Sequence, residues 1–221
     1  MFEFPKDFLW GAATSSHQVE GGNARNDWWE WEQDGKVKER SGKTCDHWNR
    51  FRKDFNLAKE LHHNAHRFSL EWSRIEPEKG KFSEEALSHY CEVIQSLKSN
   101  GLEPIITLHH FTLPLWLARQ GGWLSNKTPD LFALYVRKAV ETLGEGVRYW
   151  ITLNEPVAYV FKGYLMGEWP PGEKSYEKTL QALGHLLKGH VLAYEKIKEI
   201  DRRFKRPSSQ VGIAKHVLIF T

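Results

Sequence analysis

Cysteine is scarce: Cys45 and Cys91 are the only two in 221 residues, and they form no Cys-x-x-Cys pair. A disulfide framework is therefore excluded as the organising principle, and both read as packing or surface thiols. No window approaches 18 consecutive apolar residues, so no stretch reads as a membrane-spanning helix. The opening "MFEFPKDFLWGAAT" has no apolar core of the kind a secretory leader needs, which predicts a cytoplasmic chain. Charge of one sign is also missing. The 31 basic and 28 acidic residues are intermixed, with a formal net charge of +3. Without a basic stripe there is no electrostatic footprint for nucleic acid. No short fixed-period repeat occurs, which excludes a solenoid.

What remains is a 40% hydrophobic chain long enough for one large core. Its one compositional excess is tryptophan, ten in all. Indole faces suit stacking on flat apolar surfaces, sugar rings included, although most tryptophans serve the core.

Helical and strand-like patterns alternate. Residues 7 to 14 form a short apolar run that predicts a buried strand, followed by a Gly- and Trp-rich loop. Phe51, Phe55, Ala58 and Leu61 recur at helical spacing, and "NAHRFSLEW" then has strand composition. Residues 84 to 100 place Leu87, Tyr90, Ile94 and Leu97 on one face, with acids in the first turn and Gly101 just past the end. "LEPIITLHHF" is β-branched and ends in paired histidines. Thr128, Pro129 and Asp130 open a helix that Gly144 stops, and "YWITLNEP" follows as a strand. A helix over about 176 to 200 precedes a last strand, "VGIAKHVLIF". Five strands separated by four long helices predict parallel βαβ units, because a parallel neighbour needs a long crossover.

Polar residues gather where these strands stop. Ser16, His17, Gln18 and Glu20 follow the first, Arg67 and Glu71 mark the second, His109 and His110 the third, and Asn154 and Glu155 the fourth. In parallel α/β folds the C-terminal strand ends form the active face. Glu155 is the natural proton carrier: a carboxyl at the end of a buried strand is partly removed from water. Asn154 beside it can hydrogen-bond a substrate hydroxyl, but neighbours on a regular strand point to opposite faces, so the strand has to distort. Pro156 is expected to hold Glu155 extended. The bland alternative is that Asn-Glu-Pro merely starts a loop.

Five ordered motifs, "FPKDFLWGAATSSHQVEG", "NDWWEWE", "HRFSLEWSRIEP", "TLHHFTLPLWLARQGGW" and "YWITLNEP", resemble the N-terminal half of the retaining β-glycosidases of glycoside hydrolase family 1, the β-glucosidase type. The likeness runs from residue 4 to about residue 220. It implies a partial (β/α)8 barrel, residues 1–221 forming the first four βα units plus a fifth strand. It also implies a general acid/base at Glu155, hydroxyl-binding residues at Gln18, His110 and Asn154, and an arginine, Arg67, that orients the nucleophile. No cofactor or metal is implied. The expected substrate is a β-glycoside, cleaved through a covalent glycosyl-enzyme intermediate.

Two departures stand out. His110, Phe111 and Thr112 replace the His-Trp-Asp common in the third-strand motif. The Glu-Asn-Gly that carries the family's nucleophile is absent from all 221 residues. A (β/α)8 barrel needs about 250 residues, so a complementary C-terminal half or a second copy of the chain is the expected partner; an inactive sugar-binding or interaction module is the alternative. Glu71 is the best internal substitute for the nucleophile, or else a buried partner of Arg67 or His110. Glu20 and Glu168 are placed in loops. "HHNAH" offers His62, His63 and His66, read as solvated helix-end histidines ahead of a zinc site. His109 is expected to pack behind its strand, and Trp28, Trp29 and Trp31 to line the rim or support a loop.

Overall fold

In a computed structural model, residues 3–217 are described, and five parallel strands form one sheet in strict sequence order. They are β1 (Gly11–Ala13), β2 (Ala65–Ser69), β3 (Glu103–His109), β4 (Tyr149–Asn154) and β5 (Gln210–Ala214). A doubly wound sheet reverses its strand order at a switch point. This one never does, as expected for a run of consecutive barrel strands. The fifth predicted strand extends beyond residue 217 and lies partly outside the described residues.

The helices fall into two kinds. Four long ones are the crossovers: α3 (His47–Glu60), α5 (Glu84–Ser99), α7 (Thr128–Leu143) and α9 (Tyr176–Arg203). Short ones decorate the strand ends: α1 (Ser16–Val19), α2 (Asp27–Gln33), α4 (Trp72–Ile75), α6 (Leu115–Ala118) and α8 (Pro156–Val160), the last running into a π-helical turn at Phe161–Leu165. Sequence reading takes the 16–33 region as loop. It holds two short helices, α1 and α2, joined by non-helical residues 20–26, and the Asn26 side chain caps α2 by accepting from Trp29 N–H at 2.8 Å. Among the described residues no helix is long and apolar enough to cross a membrane.

The core lies between the sheet and the crossover helices. Leu87, Val93 and Leu97 of α5 and Phe132, Val136 and Ala139 of α7 are buried together with Ile106 and Leu108 of β3. Trp72 stacks on Tyr135 at 4.7 Å between centroids and donates its indole N–H to Glu76 Oε2 at 2.7 Å.

The opposite face is open. The first strand is shorter than predicted, spanning three residues, and all three are exposed rather than buried. Gly11 is required there: a Cβ would lie 2.2 Å from the Ala65 carbonyl oxygen of β2. Just before β1, Phe4, Phe8 and Trp10 contact one another with centroids 4.6–4.7 Å apart, yet remain 60%, 38% and 48% exposed. β1 and β5 each pair with one neighbour only among the described residues, leaving two free edges.

Candidate active site

The C-terminal end of β4 is irregular in two ways. Its pairing with β5 shifts register between Ile151 and Asn154. Thr152 shares a hydrogen bond of 2.7 Å with His190 on α9, on the helix side, whereas Asn154 turns towards Arg67 and His110. Residues i and i+2 of a regular strand share a face. The bulge is what turns Asn154 over. Glu155 then takes a left-handed conformation, φ 44° and ψ 55°, instead of the extended one its proline neighbour predicts. The Glu155 N–H donates to Ala214 of β5 at 2.7 Å, and Pro156 begins α8, so the backbone is pinned on both sides. Left-handed geometry in a residue with a Cβ is a strained state that persists only under such restraint.

One chain of hydrogen bonds joins three strands. Arg67 of β2 donates through Nε to Thr107 of β3 at 2.9 Å and through Nη2 to Asn154 Oδ1 of β4 at 2.5 Å. A guanidinium only donates, so the oxygen of the Asn154 amide must face it and the amide nitrogen must face His110 Nε2, 3.3 Å away. His110 Nε2 therefore carries the lone pair, and the ring proton sits on Nδ1. Burial, followed by the Arg67 charge, pushes His110 down to about 3, so the ring is neutral near pH 7. Burial also lowers Arg67, and the Glu155 carboxylate opposes that effect, which places the acid within electrostatic reach of the guanidinium. Replacing Arg67 by Met strips buried Asn154 of its donor, with an expected loss of roughly 1–3 kcal/mol in urea unfolding. A loss under about 0.5 kcal/mol would show that Arg67 does not organise this network.

Gln18 approaches from the β1 side. Its Oε1 accepts from Ser15 Oγ at 2.8 Å, which leaves the amide N–H groups exposed. Gln18, His110, Phe111, Trp28, Trp169 and His17 line one cleft of about 160 Å³. Trp169 lies 5.6 Å from Trp28 and 5.0 Å from Phe111 between centroids, forming an aromatic wall. Gln18 and His110 thus share the cleft directly, whereas Asn154, Arg67 and Glu155 are not among its walls. Sequence reasoning missed Trp169. Its only signal was an indole and two prolines in an otherwise polar loop.

Of the remaining acids, Glu20 and Glu168 lie outside helices and strands as expected, whereas Glu71 does not have the partners expected of it. Glu71 is fully buried and bonded to Ser16 Oγ at 2.9 Å, Ser73 Oγ at 2.7 Å and Thr112 Oγ1 at 3.2 Å, and it pairs with neither Arg67 nor His110. Thr112, part of the altered third-strand motif, supplies a donor here. Glu20 is buried as well, held by Arg74 Nε at 2.9 Å and Tyr90 Oη at 2.7 Å. Burial outweighs the Arg74 charge and raises Glu20 to about 7. Glu168 is exposed beside Lys162, 2.5 Å away.

The three "HHNAH" histidines do not share a helix face. The helix ends at Glu60, and His66 is a buried β2 residue that burial, with His47 and His63 nearby, lowers to about 4. His109 is buried behind β3, accepting from the Trp123 indole N–H at 3.2 Å. Trp28 lines the cleft, Trp29 is half-buried in α2, and Trp31 faces a second cavity.

The sequence profile of glycosyl hydrolase family 1 matches residues 2–219. The chain belongs to that family. It is 36% identical to β-glucosidase A of Thermotoga maritima over 208 residues, covering 89% of this chain and 46% of that enzyme. It is 32% identical to a 6-phospho-β-glucosidase of Bacillus subtilis over 90% of this chain and 45% of that protein. Among solved structures, a β-glycosidase from Pyrococcus horikoshii superposes with TM-score 0.89 and 46% identity, covering 96% of this chain and 48% of the other. The five-stranded sheet is accordingly part of a family 1 (β/α)8 barrel, and the chain spans about half the length of the relatives it matches.

Proposed function

We propose that this chain supplies the acid/base half of a retaining β-glycosidase acting on β-glucosides or related glycosides. Glu155 protonates the departing glycosidic oxygen and later takes a proton from the attacking water. Gln18, His110 and Asn154 bind sugar hydroxyls, and Arg67 fixes Asn154 while presenting its charge towards the nucleophile's position. The observation that carries this reading is the bulged, left-handed end of β4, which turns Asn154 towards Arg67 and His110 and holds Glu155 within electrostatic reach of Arg67.

The nucleophile comes from a complementary C-terminal half. Retention requires a second carboxylate about 5 Å across the sugar from Glu155. Glu71 cannot serve, since its oxygens are taken up by three hydroxyls in a buried pocket. The free edges of β1 and β5 and the exposed aromatic cluster before β1 offer the surface on which such a half would close the barrel. The reaction uses no cofactor, and the setting is cytoplasmic. Sugar preference depends largely on residues outside this chain, which fits relatives named for both plain and phosphorylated glucosides.

The test is turnover of an activated aryl β-glucoside by the chain alone and after mixing with a family C-terminal half that carries Glu-Asn-Gly. Activity only in the mixture is the expected result. Equal activity in the chain alone would refute the missing-nucleophile reading. Sugar binding without turnover in either sample would favour a binding module.

A further inference from the structure

α9 runs for 28 residues and buries one side in the core through Leu186, Gly189, Ala193 and Ile197. A second apolar set stays in the open: Tyr176, Leu180, Leu187, Val191 and Tyr194 are between 42% and 69% exposed. They recur three, four and seven residues apart, so they form one stripe, set roughly 120° round the helix from the buried side. Exposed Glu177, Lys188 and Glu195 border it towards solvent. Contiguous exposed apolar surface with a polar rim marks an interaction face.

The packing of α9 fixes which flank is bare. On one flank Gln181 donates to the Leu124 carbonyl at 2.9 Å, His185 to the Trp123 carbonyl at 2.8 Å and Arg203 to Glu141 of α7 at 3.0 Å. Between the flanks, His190 meets Thr152 of β4 at 2.7 Å. The stripe occupies the other flank, turned away from α7. The crossover helices pack in chain order, α3 on α5, α5 on α7 and α7 on α9. Parallel crossovers keep one hand, so a helix following β5 would take the next place in that row, beside α9. Among the described residues no helix follows β5.

Two occupants compete for this place. A second copy brings its own five strands, and twice five exceeds the eight of a barrel. It also brings no helix to the seam, because its first crossover, α3, lies beyond its β1. The complementary half has three strands to supply, eight less five, and reaches the first of them only through a crossover.

Given the complementary half proposed above, we infer that the α9 stripe is the seat of its first helix, an amphipathic segment that leads into the sixth strand and lays its apolar face along Leu180, Leu187 and Val191. The seat lies in the helix layer, so association is open to change without touching any residue given a role in the site.

The test co-expresses the chain with the part of the Pyrococcus horikoshii β-glycosidase that follows the strand superposed on β5, and measures dissociation by sedimentation. Leu187→Glu should weaken association about 30-fold or more, as loss of a buried contact residue does. The urea midpoint of the chain alone should not move, because Leu187 is already in water. Leu134→Glu, at a site 49% exposed on α7, which has a helix on each side, should change association by no more than about twofold. A partner cut back to its sixth strand should bind no better than Leu187→Glu does. Unchanged association in Leu187→Glu, or full affinity in the cut partner, would overturn the seat and leave the complementary half standing. Equal weakening by Leu134→Glu would reveal a general charge effect and overturn it too. A dimer of the chain alone that Leu187→Glu abolishes would give the stripe to a second copy. Association that depends on Leu187 without turnover of an aryl β-glucoside would keep the seat and refute the acid/base reading, whereas no association with the intact partner would refute both.

Discussion

Glu155→Gln in the enzyme completed by its C-terminal half should divide substrates by leaving group. With an activated aryl glucoside the departing oxygen needs no proton, so the rate of intermediate formation should stay within about tenfold of wild type. With an alkyl glucoside or a disaccharide the same step should slow by roughly 10²–10⁴, the usual contribution of a positioned acid. The second half of the reaction also suffers, because the amide cannot take a proton from water. An activated substrate should therefore show a burst of aglycone release followed by a slow phase. Equal losses for good and poor leaving groups would remove Glu155 from the acid/base role. Loss of the burst altogether would mean that it acts before the intermediate forms.

Arg74→Met should be the most damaging single change to stability. Arg74 donates to Glu20 at 2.9 Å, to the Gly21 carbonyl at 2.6 Å and to Asn23 at 2.5 Å, and its guanidinium lies 3.9 Å from the centre of the Trp48 ring. Removing the cation leaves a buried carboxylate uncompensated, a loss of about 3–5 kcal/mol at pH 8 in comparable pairs. The pH dependence separates this cause from lost packing. In the folded chain Glu20 sits near 7, above the ordinary carboxyl value of 4.5. The native state then holds more protons than the unfolded one across that window, and stability declines as pH rises from about 4.5 to 7. Without Arg74, Glu20 is raised further, so the decline continues to higher pH. The gap between variant and wild type in urea unfolding should thus be smallest and level below about pH 7 and widen above it. A gap that ignores pH would attribute the loss to Trp48 and Gly21 rather than to Glu20.

Much of the barrel could be read from periodicity, because the long crossover helices bury one stripe each. The predicted helix from Thr128 to Gly144 needed only its proline start, its glycine stop and Phe132, Val136 and Ala139 between them, and the structure has it at Thr128–Leu143. The region from Ser16 to Gln33 was opaque for the opposite reason. Helices of four and seven residues have no repeating stripe, and α2 is set by the Asn26 cap and by the cleft it borders. The conformation of Glu155 was misjudged because local sterics before proline favour an extended backbone, whereas the bulge in β4 and the bond to Ala214 impose another. Glu71 and Glu20 were equally unreadable. Their partners, Thr112 and Arg74, stand 41 and 54 residues away, and only the folded sheet brings them together.

The turn at Glu155 also limits how this chemistry could be transplanted. Copying Asn-Glu onto the tip of an ordinary parallel strand in another scaffold would send the two side chains in opposite directions, one into solvent or helix and one towards the ligand. A designer would have to carry over the register slip, the proline and the neighbouring strand's carbonyl as one unit. The transferable part of this arrangement is a piece of main chain, and the Asn154 and Glu155 side chains come along as passengers.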